Sequence, residues 1–173
     1  MGVRRATQVL APGSWDGGQA GATVTLAFDD RHRRRLRLTD DAGAPFLLDL
    51  ERAMVLADGC GLQLEDGGII AVRAAPEAVI EVACSDAARA ARLAWHVGNR
   101  HAPLQVLADG TLRLRDDPVL ASMLHGLGAT VVHRQAPFDP ESGAYATRPA
   151  DAHEDNQGHS HGHGHDHALD HAR

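Results

Sequence analysis

From Val79 onward the hydrophobic pattern changes period in a fixed order, and that order narrows the folds open to the chain. Residues 79–84 (VIEVAC) form an apolar run of strand length. A helix is predicted from about Asp86 to Val97: Ser85 and Asp86 are good N-cap residues, and the stretch after them is rich in Ala, Leu and Arg. Gly98-Asn99 is expected to stop it, because both residues tolerate the left-handed conformation at a helix end. Residues 103–107 (PLQVL) and 111–115 (TLRLR) read as strands joined by the turn Asp109-Gly110. Pro118 then opens a second helix to about Leu127, with Leu120, Leu124 and Leu127 on one face. Residues 130–134 (TVVHR) read as the last strand. The resulting β-α-β-β-α-β order is that of a split βαβ, or ferredoxin-like, unit: a four-stranded sheet with two helices on one face.

Residues 1–75 carry a different signature. Ala22 to Phe28 alternates Val24, Leu26 and Phe28 on one face, the period of a half-buried strand. In RHRRRLRL (residues 31–38), Arg33, Arg35 and Arg37 would share one face, with Leu36 and Leu38 on the other. Such a run is more often a solvated face than a patch for an acidic partner. Short strands are predicted at 45–50, 53–56, 61–65 and 69–73, separated by the turn signals Asp41-Ala42-Gly43, Asp58-Gly59 and Asp66-Gly67-Gly68. That spacing suggests a small barrel or sandwich. Cys60 falls in a turn and reads as a small structural residue. The pattern breaks at Ala74-Ala75-Pro76. The chain is therefore expected to be α+β in class: an all-β N-terminal domain over 1–75, a ferredoxin-like domain over 76–148, and a tail over 149–173.

The tail offers almost nothing to bury. From Asp151 to Arg173 its apolar residues are Ala152, Ala168, Leu169 and Ala172, so it is expected to be disordered. It holds His153, His159, His161, His163, His165, His167 and His171, seven of the chain's 12 histidines. Histidines on alternate residues can turn several imidazoles onto one ion, a collector of metal rather than a preformed cage. Nickel, zinc, copper and cobalt accept imidazole, whereas calcium and magnesium prefer oxygen. The irregular Ser, Gly and Asp interruptions argue against an engineered tag. Binding needs neutral imidazole, and ordinary imidazole titrates near pH ~6.5, so affinity is expected to fall by about pH 5.5.

Charge and composition exclude several classes. Most of the net charge of −6 lies in the tail, where five acids face Arg173 alone. Residues 1–150 are near neutral, which gives no reason to expect nucleic acid. No run of about 18 apolar residues exists, so no membrane span is expected. The N-terminal residues show no apolar signal region. Cys60 and Cys84 make no CxxC pair, and a reduced, cytoplasmic protein is the simple reading. No phosphate loop, GxSxG or HExxH occurs, which argues against an enzyme, including a hydrolase built on His96 and His101.

The body holds five histidines: His32, His96, His101, His125 and His133. His96 falls inside the first predicted helix and His101 just beyond it. At an offset of five with the helix broken between them, the two need not share a metal. A single imidazole is a weak site, but two copies of one residue facing across a two-fold axis would make a symmetric pair.

The stretch His96-Val-Gly-Asn-Arg-His101-Ala-Pro-Leu-Gln, then Pro137-Phe-Asp-Pro-Glu-Ser-Gly-Ala-Tyr145, then the His-rich tail, resembles the urease accessory protein E (UreE) family of nickel metallochaperones. Asp66-Gly-Gly-Ile-Ile-Ala-Val-Arg-Ala74, followed by Glu77, is similar to the end of that family's N-terminal domain. The resemblance implies a β-rich domain joined to a ferredoxin-like one and a homodimer formed through the latter. It implies Ni2+ as cargo, with Zn2+, Cu2+ and Co2+ as possible competitors, and the urease apoprotein and the accessory GTPase complex as partners. It places a nickel ligand at His101, opposite its symmetry mate, adds the tail histidines from His153 to His171, and makes His96 a weaker candidate. Some members place further metal-binding histidines just before the second helix, where this chain has Arg115-Asp116-Asp117-Pro118. The rival expectation is a His-rich store or buffer for nickel or zinc, in which the tail is the whole function.

Overall fold

The computed structural model describes residues 3–142. The tail histidines and the expected disorder of the tail lie outside the described residues.

The N-terminal half is built on one six-stranded sheet. Its strands are β1 (Arg4–Leu10), β2 (Ala22–Leu26), β3 (His32–Thr39), β4 (Pro45–Val55), β5 (Gly61–Leu64) and β6 (Ile69–Ala74). The order across the sheet is β2-β6-β5-β1-β4-β3, with β1–β4 and β2–β6 parallel and the other pairs antiparallel. Alternate residues turn inward, so that Ala6, Val24, Phe46, Leu48, Leu62, Ile70 and Val72 share one buried cluster. The two edges meet through the backbone and side chain of one residue rather than a ladder. Asp41, just past β3, donates its N–H to the Thr23 carbonyl at 2.8 Å, and its carboxylate accepts from the hydroxyls of Thr23 and Thr25. Those hydroxyl bonds, the Thr23 one foremost, hold the Asp41 carboxyl below the usual carboxylate range. The expected turns are present, with Gly43, Gly59 and Gly67 at positive φ.

Three details depart from the sequence reading. Segments 45–50 and 53–56 form one strand, because β4 continues past the core: Leu50 is buried, while Glu51, Arg52 and Ala53 are exposed. β1 has no counterpart among the predicted strands; it lies inside the sheet between β5 and β4, and its pairing with distant strands has no local sign. A register shift between Arg33 and Arg35 takes Arg33 out of the alternation, so only Arg35 and Arg37 alternate with the half-buried Leu36 and Leu38.

The C-terminal half begins at Pro76. Its elements are β7 (Pro76–Val82), α1 (Ala87–Gly98), β8 (Gln105–Val106), β9 (Leu112–Arg115), α2 (Pro118–Gly126) and β10 (Val131–Pro137). The sheet order is β10-β7-β9-β8, antiparallel throughout, which is the split βαβ arrangement. Both helices cover one face: Leu93 and Val97 of α1 and Ala121 and Leu124 of α2 bury themselves against Ile80, Val82, Leu112 and Leu114. Asp86 caps α1 by accepting the Arg89 N–H, and Asp117 caps α2 by accepting those of Val119 and Leu120. None of the described helices is long and apolar enough to cross a membrane.

The last strand does not end the fold. Beyond β10 the chain turns back into the N-terminal half and buries Phe138 completely, its ring edge-on to Phe28 at 5.3 Å. Arg31, also fully buried, lies 5.6 Å from the Phe28 ring centroid. Its guanidinium donates to the Phe138 and Leu56 carbonyls and to Asp139 Oδ1, the last at 2.5 Å. A second bridge between the halves joins the Phe28 N–H to Glu77 Oε1 at 2.6 Å.

Candidate metal centre

The amphipathic stripe of α1 decides where His96 lies. Leu93 and Val97, four residues apart, face the core, and the opposite side carries the exposed Ala91, Arg92 and Trp95. His96 lies between these faces, half-buried, with its ring edge-on to Trp95 at 4.9 Å.

The helix ends otherwise than expected. Asn99 keeps right-handed angles (φ −63°), and the left-handed residue is His101 (φ 54°), the only non-glycine with positive φ among the described residues. The turn tightens stepwise: the N–H of Asn99 bonds the Trp95 carbonyl, that of Arg100 the Val97 carbonyl at 2.9 Å, and that of His101 the Gly98 carbonyl at 2.9 Å. Holding a side-chain-bearing residue there costs about 1 kcal/mol. His101 is exposed at the tip of this turn, open to solvent and to other chains.

Among the described residues no three His, Cys, Asp or Glu side chains lie close enough together to hold a metal ion. The described part of one chain therefore offers single imidazoles, and the nitrogen-donor character of an exposed His suits nickel, copper or zinc only with further ligands from elsewhere. His96 and His101 do not form a chelating group with any third donor among these residues.

The segment Arg115-Asp116-Asp117-Pro118 is taken up by structural contacts. Arg115 bonds both oxygens of Asp29 at 2.9 and 3.0 Å, and Asp117 caps α2. Asp116 Oδ2 lies 3.0 Å from Nδ1 of the exposed His133, a pair that the sequence did not suggest. His125 stands in the last turn of α2, and His32 opens β3. Cys60 is buried, and burial pushes its thiol up to about 12, so it stays protonated at neutral pH.

The residues after His101 are tied to the far end of the fold. Leu104 accepts the Glu141 N–H at 2.8 Å, Gln105 Oε1 accepts the Asp139 N–H at 3.1 Å, and Glu141 Oε1 accepts the Val106 N–H at 3.3 Å. The end of the first motif, at Leu104 and Gln105, thus touches the described part of the second, at Asp139 and Glu141. Periodicity could not show this, because neither segment is a regular element over most of its length.

Comparison with known proteins gives matches along most of the chain. Residues 4–75 match the family model described as UreE urease accessory protein, N-terminal domain, and residues 77–168 match the C-terminal domain model of the same description. The chain is similar to the urease accessory protein UreE of Beijerinckia indica, with 48% identity over 150 residues, covering 87% of this chain and 86% of the relative. It is similar to that of a Bradyrhizobium species, with 52% identity over 149 residues, covering 86% of this chain and 70% of the relative. With that of a Chelativorans species it shares 48% identity over 157 residues, covering 91% and 96%.

Proposed function

The chain belongs to the UreE urease accessory protein family, and on that footing we propose that it is a cytoplasmic nickel metallochaperone, an accessory protein rather than an enzyme. It binds Ni2+ and delivers it to apo-urease as the nickel centre is assembled, working with the accessory GTPase complex. The family match across both halves carries this reading, and the exposed turn that presents His101 supports it.

In this reading the chain is a homodimer in which His101 of each copy faces the other across a two-fold axis. The pair supplies two nitrogen donors, and His153, His159, His161, His163, His165, His167 and His171 supply further ones. Such open, exchangeable ligands suit a carrier, which must release its cargo, better than a closed tetrahedral cage would. His96, half-buried against Trp95, is a poorer donor.

Equilibrium dialysis with nickel tests the reading. A chain ending at Ala150 is expected to keep one tightly bound nickel per dimer, and His101→Ala is expected to lose it. Parent-like binding by His101→Ala would sink the paired-histidine site. The concentration of seven histidines in 23 residues favours a second reading, a nickel or zinc store. It predicts the reverse: truncation at Ala150 removes nearly all binding, and urease activity in a deletion strain at limiting nickel is unaffected.

A further inference from the structure

We propose that Phe138–Glu141 is a strap that positions His101, with Gln105 and Glu141 as the positioning residues; this rests on His101 being a nickel ligand. His101 holds a backbone conformation that costs free energy, so both flanks of the turn must be fixed for it to persist. On the upstream side α1 does this through the Asn99, Arg100 and His101 N–H bonds. On the downstream side little regular structure is available. Pro103 has no N–H to give, and β8 has two residues and stands at the sheet edge, paired with β9 alone.

The strap fills that gap. It supplies three hydrogen bonds to the consecutive residues Leu104, Gln105 and Val106, the same residues that lead away from the turn. Its own anchorage is firm. Phe138 is fully buried, and Asp139 is gripped by the Arg31 guanidinium and by the Asp58 N–H at 3.2 Å. The N-terminal half therefore holds the strap, and the strap holds the exit of the His101 turn. The position of the imidazole is set by residues of both halves of the chain rather than by α1 alone.

The test uses the full chain and a double variant, Gln105→Ala/Glu141→Ala, which removes two of the three bonds without touching the core. Hydrogen exchange at the His101 amide, which is bonded to Gly98, is read without metal. It is expected to quicken by roughly ten-fold while the melting temperature stays within a few degrees of the parent. Nickel affinity at the His101-dependent site is expected to weaken by about three- to ten-fold, as for one or two lost hydrogen bonds. A companion variant, Gln105→Ala/Glu141→Gln, keeps an acceptor for the Val106 N–H and is expected to show only part of both effects. In a His101→Ala background the double variant is expected to leave nickel binding unchanged. Unaltered exchange at His101 in the double variant overturns the strap. If exchange quickens but His101→Ala binds nickel like the parent, the strap stands as a structural device and the ligand role of His101 falls.

Discussion

At the scale of single residues, His101 sits where glycine would be at ease. His101→Gly is expected to raise stability by roughly 0.5 kcal/mol, the left-handed penalty of about 1 kcal/mol lessened by the extra backbone entropy of glycine. Thermal denaturation reads this, and a loss of about 1 kcal/mol or more would show that the strain assigned to the turn is absent. A residue that destabilises its own turn and is nonetheless histidine fits a role in binding rather than in folding. The cysteines give a second residue-scale prediction. Burial pushes Cys60 up to about 12 and raises the half-buried Cys84 as well. With Ellman's reagent at pH ~7 the native protein is expected to yield at most one slowly reacting thiol, and the second only in denaturant. Two rapid native thiols would contradict the packing around Cys60.

At the scale of elements, the C-terminal half was legible because its signals are local. Pro118, the cap Asp86 and the turn Asp109-Gly110 each act within a few residues, and each lies where the sequence puts it. What escaped was non-local. Arg31 reads as one more member of an arginine run, yet it is the buried partner of an aspartate 108 residues away. Asp139→Ala leaves that cation buried without a counter-charge and is expected to cost about 2–4 kcal/mol in urea denaturation. The figure is below that for a fully enclosed pair because the Asp139 side chain is 30% exposed. Parent-like stability would mean that the guanidinium is satisfied by the carbonyls alone. The open face of the second sheet carries another ionic knot: Arg113 and Arg134, Arg113 foremost, hold the Glu81 carboxyl below its usual range. A carboxyl depressed in the folded state binds fewer protons there than in the unfolded chain. Its stabilisation is complete above the ordinary glutamate range and is lost as pH falls through the folded value. Glu81→Gln is therefore expected to flatten the acid limb of a stability-against-pH curve, and an unchanged limb would count against the knot.

At the scale of the whole molecule, the halves have separate cores but are not independent. They share Phe28–Glu77, Arg115–Asp29 and the strap. The two tryptophans report one half each: Trp15, bonded through Nε1 to the Gly59 carbonyl at 3.2 Å, and Trp95 on α1. Single-tryptophan variants are expected to show coincident urea midpoints in the parent and separated midpoints when Asp139→Ala is added. Separate midpoints in the parent would mean that the bridges do not couple the halves. The strap also bears on synthesis. Arg31 leaves the ribosome 108 residues ahead of its aspartate, a delay of about 5 to 20 s at ordinary translation rates. For that interval the residue that leads into β3, at the edge of the first sheet, has no counter-charge. The earlier half thus gains the counter-charge and the Phe138 carbonyl that its arginine bonds only when the later half has been made, and a chain ended before Asp139 lacks both.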